Sequence, residues 1–178
     1  NVGVTGVVKG YNQIAGIVGS ASGSVYMENC YNKCEITSSS YYISGILGIY
    51  ENGNDLCIKS CNNYGYINGY SQTGGIIGCI RAVPKNILLY NCTNYGNISA
   101  TGGYSIGGLI GQVSGSNELY IEKCNNEGSI IGGQPVGGII GEINDTYAQL
   151  KECSNKGNLN VPDSSCGGIV GRTYGANL

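Results

Sequence analysis

Leu89-Tyr90-Asn91-Cys92-Thr93-Asn94-Tyr95-Gly96-Asn97-Ile98 decides the fold, because the chain states it five times. Reduced to its fixed positions it reads aliphatic-x-x-Cys-x-Asn-x-Gly/Cys-x-aliphatic. It returns at Met27–Ile36, Ile58–Ile67, Ile121–Ile130 and Leu150–Leu159. The reference cysteines, Cys30, Cys61, Cys92, Cys124 and Cys153, are 31, 31, 32 and 29 residues apart. A second signature interleaves with the first: a small residue and Gly, two aliphatics, then Gly. It occupies Ala15–Gly19, Ser44–Gly48, Gly74–Gly78, Gly107–Gly111, Gly137–Gly141 and Gly167–Gly171. A period near 30 in 178 residues is the mark of a repeat architecture.

Each repeat divides into three short apolar runs separated by turn residues. In the third these are Gly74–Ile80, Ile87–Cys92 and a brief run around Ile98, with the polar stretch 81–86, Pro84 included, between the first two. No run has the length or 3.6-residue period of a helix. Before each reference cysteine the pairs Val25/Met27, Leu56/Ile58, Ile87/Leu89, Leu119/Ile121 and Ala148/Leu150 alternate onto one face. From Leu89 to Cys92 the spacing becomes three, so a bend or bulge is needed there for both to point inward. The expected fold is all-β, a right-handed parallel β-helix with about 30 residues and three short strands per coil. The whole chain, 1–178, forms a single β-solenoid domain of five to six stacked repeats, about 25–30 Å long at the strand spacing. A propeller blade needs roughly 40 or more residues, and a sandwich does not explain the constant period.

Composition agrees with this. Glycine fills 32 positions, and Phe, Trp and His are absent. Gly and Asn disfavour helices, while apolar residues at fixed offsets argue against low-complexity disorder. In stacked coils Asn32, Asn63, Asn94, Asn126 and Asn155 form a ladder whose amides bond along the stack and to turn backbone. Gly65, Gly96, Gly128 and Gly157, two residues on, mark a place where a side chain disturbs backbone or packing. Cys34 replaces that glycine in the first repeat, so either the constraint is steric or that coil is altered. The five reference cysteines read as a core stack of reduced thiols, one per coil. The other reading is disulfide staples, with Cys30/Cys34 and Cys57/Cys61 as the short-range pairs.

Charge and chemistry exclude several classes. Nine basic and eleven acidic residues are spread thinly, with no basic stripe for nucleic acid and no apolar run for membrane insertion. Without histidine there is no imidazole base, His triad or HExxH zinc motif, and cysteines about 30 residues apart do not gather a metal. The glycine signature lacks the Gly-Lys-Ser/Thr of a phosphate loop. No cofactor, metal or catalytic residue is expected. A carbohydrate-active β-helix enzyme is the alternative, on scattered acids such as Glu28 with Asp55, or Glu118, Glu142 and Asp145; Asp163 stands alone. Fifteen tyrosines and many asparagines suit a glycan or host surface protein better, with the matching Tyr64 and Tyr95 forming a two-coil aromatic ladder.

The Gly-Gly-Ile-Ile-Gly at 74–78 and 137–141, the Gly-Gly-Leu-Ile-Gly at 107–111 and the Asn-Cys-x-Asn-x-Gly-x-Ile at 91–98 resemble the GLUG repeat. Such repeats occur in bacterial secreted and cell-surface proteins, including non-catalytic regions of IgA-cleaving metallopeptidases. Ala15-Gly16 and Cys34 depart from the pattern. The resemblance implies a bacterial extracellular or cell-surface setting and a structural spacer or adhesive stalk. Asn1–Thr5 looks like the end of an earlier repeat, and Gly167–Leu178 begins another. Open solenoid ends expose strand edges; hence the expectation of a segment of a longer chain, or else a self-associating subunit of an extracellular filament whose copies meet end to end.

Overall fold

A computed structural model describes residues 1–81, 86–115, 118–162 and 165–178; Pro84 and Asp163 lie outside the described residues. The chain is an all-β parallel solenoid of about five coils, and each strand inside the stack pairs with those one coil before and after, the strands at the two ends of each sheet with one neighbour. Each coil carries five short strands, where the apolar runs alone suggest three. In one coil they are Asn86–Tyr90, Thr93–Asn94, Ile98–Ala100, Ile106–Gly107 and Ile110–Ser114. We call the corresponding sheets first to fifth in that order; among the described residues the first has five strands and the others six. The extra strands are short, two residues throughout the second sheet and two to four in the fourth. One holds the repeated Asn, and the other comes from splitting the glycine run at its corner. Stacking explains them: neighbouring coils offer backbone partners even to a pair of extended residues, as in the register Asn62↔Thr93 and Asn63↔Asn94.

The break in alternation before each cysteine is a left-handed corner. Asn29, Ser60, Asn91, Lys123 and Glu152 have φ of 54°, 50°, 54°, 55° and 53°. This one residue turns the chain between the first and second sheets, so that Leu89 and Cys92, three apart, are both buried. Each cysteine then closes the corner by donating its thiol to the carbonyl two residues back, as from Cys61 to Lys59 at 3.2 Å and Cys124 to Glu122 at 3.2 Å.

The interior has two apolar compartments. The larger lies between the first and fifth sheets and contains Leu56, Ile58, Cys61, Tyr50 and Ile80 with their equivalents. The smaller lies between the third and fourth and contains Cys34, Ile36, Ile43, Ile67 and Ile98. The repeated asparagines reach across between them to the second glycine of the other signature. A methyl on Gly45, Gly75, Gly108 or Gly138 would lie 2.4–2.5 Å from the amide carbon of Asn63, Asn94, Asn126 or Asn155. The two signatures therefore meet in space as the two sides of one partition.

The turn glycines answer a steric demand. A methyl on Gly65, Gly96, Gly128 or Gly157 would sit 1.9–2.1 Å from a carbonyl oxygen of the preceding coil, at Cys34, Gly65, Gly96 and Gly128 respectively. Cys34 escapes because the residue beneath it is Gly6, whose φ of 112° is open to glycine and whose carbonyl instead accepts from the Glu35 N–H at 3.0 Å. Replacing Gly96 by Ala is expected to cost roughly 1–3 kcal/mol of stability or more by overpacking. Gly168→Ala, with nothing within 4 Å of the new methyl, should stay within about 0.5 kcal/mol. Denaturant midpoints of the two variants check the contrast.

Candidate functional site

Inside the coil the five asparagines form a continuous amide chain. Asn32 Nδ2 donates to Asn63 Oδ1 at 2.7 Å, Asn63 to Asn94 at 2.7 Å, Asn94 to Asn126 at 2.8 Å and Asn126 to Asn155 at 2.8 Å. Each Nδ2 also donates to the carbonyl two residues on, at 2.8–3.3 Å. Both N–H groups of every amide in the ladder's interior are thus used, although Asn32, Asn63, Asn94 and Asn126 are fully buried.

The reference cysteines are stacked at the adjoining corner, and all nine cysteines are free thiols. Geometry separates the short-range pairs. Cys30 faces the larger compartment and Cys34 the smaller, on opposite sides of Asn32, while Cys57 points out of the first sheet and Cys61 in. Burial pushes the Cys61 thiol up to about 12.

The functional surface is what the same strands present outward. Along the second sheet two outer columns run side by side. One is Tyr31, Asn62, Thr93, Asn125 and Ser154; the other is Lys33, Tyr64, Tyr95, Glu127 and Lys156. Tyr64 and Tyr95 stack face to face, with centroids 4.9 Å apart and planes within 1°. They remain 46% and 48% exposed, so the core does not consume them. On one side the pair is followed by the Glu127–Lys156 ion pair at 2.8 Å. On the other, Lys33 Nζ stands 5.4 Å from the Tyr31 ring centroid and 5.7 Å from that of Tyr64. Between these two coils opens a depression of ≈ 530 Å³ lined by Asn29, Cys30, Tyr31, Lys33, Ser60, Asn62 and Tyr64. Sequence matching finds Tyr64 and Tyr95 because they share a repeat position. Tyr31 stands with them among the tyrosines of the polar turns, but matching misses Lys33 and its contact with Tyr31, since the two belong to different columns and meet only through side-chain length.

The scattered acids do not pair across coils. Glu28 lies opposite Lys59 and Asp55 opposite Asn86, at different ends of adjacent strands; Asp55 accepts from Asn86 Nδ2 at 2.9 Å. Glu118 stands opposite Tyr147 on the first sheet, and Glu142 is on the fifth. Among the described residues no group of three or more His, Cys, Asp or Glu side chains is placed to hold a metal ion.

A second strip, buried at Ile49, Cys79 and Glu142 and half-buried at Gln112, is not visible in the sequence. Ile49, Cys79, Gln112 and Glu142 share one position of the fifth sheet, on the opposite side from Tyr50, Ile80, Val113 and Ile143. Glu142 there accepts from Ser105 at 3.3 Å, Gln112 at 3.0 Å and Asn144 at 2.8 Å. Ser105, with φ of 59°, is itself a left-handed corner that turns its side chain onto the strip, as Tyr42 is in an earlier coil. Cys79 is fully buried close to the Arg81–Glu51 ion pair, and burial pushes its thiol up to about 12.

Two outcomes follow. Asn94→Ala leaves a buried donor on Asn63 and a buried acceptor on Asn126 unpaired, at about 1–3 kcal/mol each; equilibrium unfolding should show a loss of roughly 2–6 kcal/mol. For Cys79, a folded-state pKa raised above the ordinary value of 9.0 means that the unfolded chain releases the proton first. Its contribution is therefore full below pH 9 and falls as pH climbs toward 12. Denaturant midpoints measured between pH 9 and 11 should decline less steeply in Cys79→Ala than in the parent.

Family models, curated proteins and solved structures give no match to this chain.

Proposed function

We propose that this solenoid is an adhesive stalk, a spacer that carries a binding face, within a bacterial extracellular or cell-surface protein. In-register stacking of short parallel strands provides a scaffold in which each coil is held by its neighbours. The observation that carries the adhesive part is the Tyr64–Tyr95 stack. Two large side chains are kept in fixed parallel planes at the surface, beside asparagine and serine side chains able to bond hydroxyls. Tyrosine supplies rigid amphipathic contact area at low entropy cost, which suits glycans and protein surfaces. The extracellular bacterial setting rests on the resemblance of the glycine signature to GLUG repeats. Neither a catalytic step nor a cofactor enters this reading. Among the described residues no helix is long and apolar enough to cross a membrane.

The test is saturable binding to arrayed glycans and host surface proteins, compared between the parent and a Tyr64→Ala/Tyr95→Ala double variant. A ligand whose affinity drops tenfold or more in the double variant, with the circular dichroism spectrum unchanged, supports the adhesive face. Equal binding by both proteins sinks it and leaves a plain spacer.

A further inference from the structure

Resting on that adhesive reading, we infer that the slot between Tyr31 and Tyr64 takes a negatively charged sugar, a pyranose bearing a carboxylate or sulfate, with Lys33 meeting the acid group. Three observations converge. First, Lys33 has no carboxylate partner among the described residues. Several other cations do: Arg81 pairs with Glu51 at 2.8 Å, Lys151 with Glu122 at 3.3 Å and Lys156 with Glu127 at 2.8 Å. Second, its ammonium is held at the mouth of the slot by the faces of two tyrosines, 5.4 and 5.7 Å from their centroids. Such contacts orient a cation without neutralising it, so its charge is available to an arriving anion.

Third, the slot offers hydrogen-bonding groups that the fold leaves unused. Asn62 Oδ1 accepts from the Thr93 N–H at 3.0 Å, but Asn62 Nδ2 has no partner among the described residues, and neither has the Asn29 side-chain amide, although the Asn29 backbone N–H donates to the Lys59 carbonyl at 3.0 Å. Ser60 Oγ accepts from Asn91 at 3.1 Å and keeps its own proton to donate. Aromatic walls for the C–H face of a ring, amides and a hydroxyl for its hydroxyl groups, and one fixed ammonium make a set that fits an acidic sugar. An acidic peptide would use the charge but leave the amides and ring faces poorly matched.

The intact chain would be titrated with an oligogalacturonate and with an uncharged oligogalactoside of equal length, following NMR shifts or heat. The acidic oligomer should bind at least tenfold more tightly. Lys33→Gln should abolish that preference, Lys33→Arg should keep most of it, and Tyr64→Ala should weaken binding of both sugars. Salt at about 0.5 M should shrink the preference, since screening at that concentration reaches within a few ångströms. Equal affinity for the two sugars, or an undiminished preference in Lys33→Gln, overturns the anionic assignment. A polyglutamate peptide competing as well as the sugar overturns the saccharide class. If neither oligomer binds while another ligand shows Tyr64-dependent binding, the acidic-sugar slot falls and the adhesive face stands; absence of any Tyr64- or Tyr95-dependent ligand fells both.

Discussion

The contact between each buried asparagine and the glycine opposite is the constraint on which the rest of the molecule depends. An amide in an apolar interior costs free energy unless every donor is paired. Here each is paired by the amide of the next coil and by the turn carbonyl beside it. The reach of that side chain fixes the distance across the coil, and only a residue without Cβ can stand where it arrives. Glycine placement and the division of the core into two compartments both follow from the one contact. Satisfied polar networks of this kind specify a single arrangement more strictly than apolar packing does.

This interior frees the exterior. Because amides, thiols and aliphatic side chains hold the coils from within, the outer columns of the second sheet vary from coil to coil without threatening the fold. Lys33, Tyr64, Tyr95, Glu127 and Lys156 succeed one another at a single outward position. One stretch is aromatic and one is an ion pair, on identical backbone. A binding face in such a protein is thus set by a few side chains on adjacent coils, without a specialised loop.

Fold legibility followed chemical constancy. The ladder asparagines, the same in every repeat, and the glycines, constant but for Ala15, Cys34 and Ser44, are readable from spacing alone, as is the matched tyrosine pair. The left-handed corner before each cysteine was not, because Asn29, Ser60, Asn91, Lys123 and Glu152 share a backbone conformation and no side-chain chemistry. The two-residue strands of the second sheet are hidden because their polarity marks them as turns, and only pairing between coils makes them strands; those of the fourth are hidden because the corner that splits the glycine run leaves no mark in its hydrophobicity. The strip from Ile49 to Glu142 changes from aliphatic to charged along the stack, so no hydrophobic pattern announces its burial. The meeting of Tyr31 with Lys33 depends on side-chain reach between columns, which repeat alignment does not encode.

Every rung of the amide ladder donates in the same sense, from one coil toward the next in chain order. The stack therefore has an arrow, and any coil presents a donor to its successor and an acceptor to its predecessor. Excising or duplicating a whole coil restores the same junction, whereas a coil threaded in reverse would oppose donor to donor. The architecture works as a ruler with a fixed graduation of about 4.8 Å, the strand spacing, along which surface features can be moved apart or together by whole units.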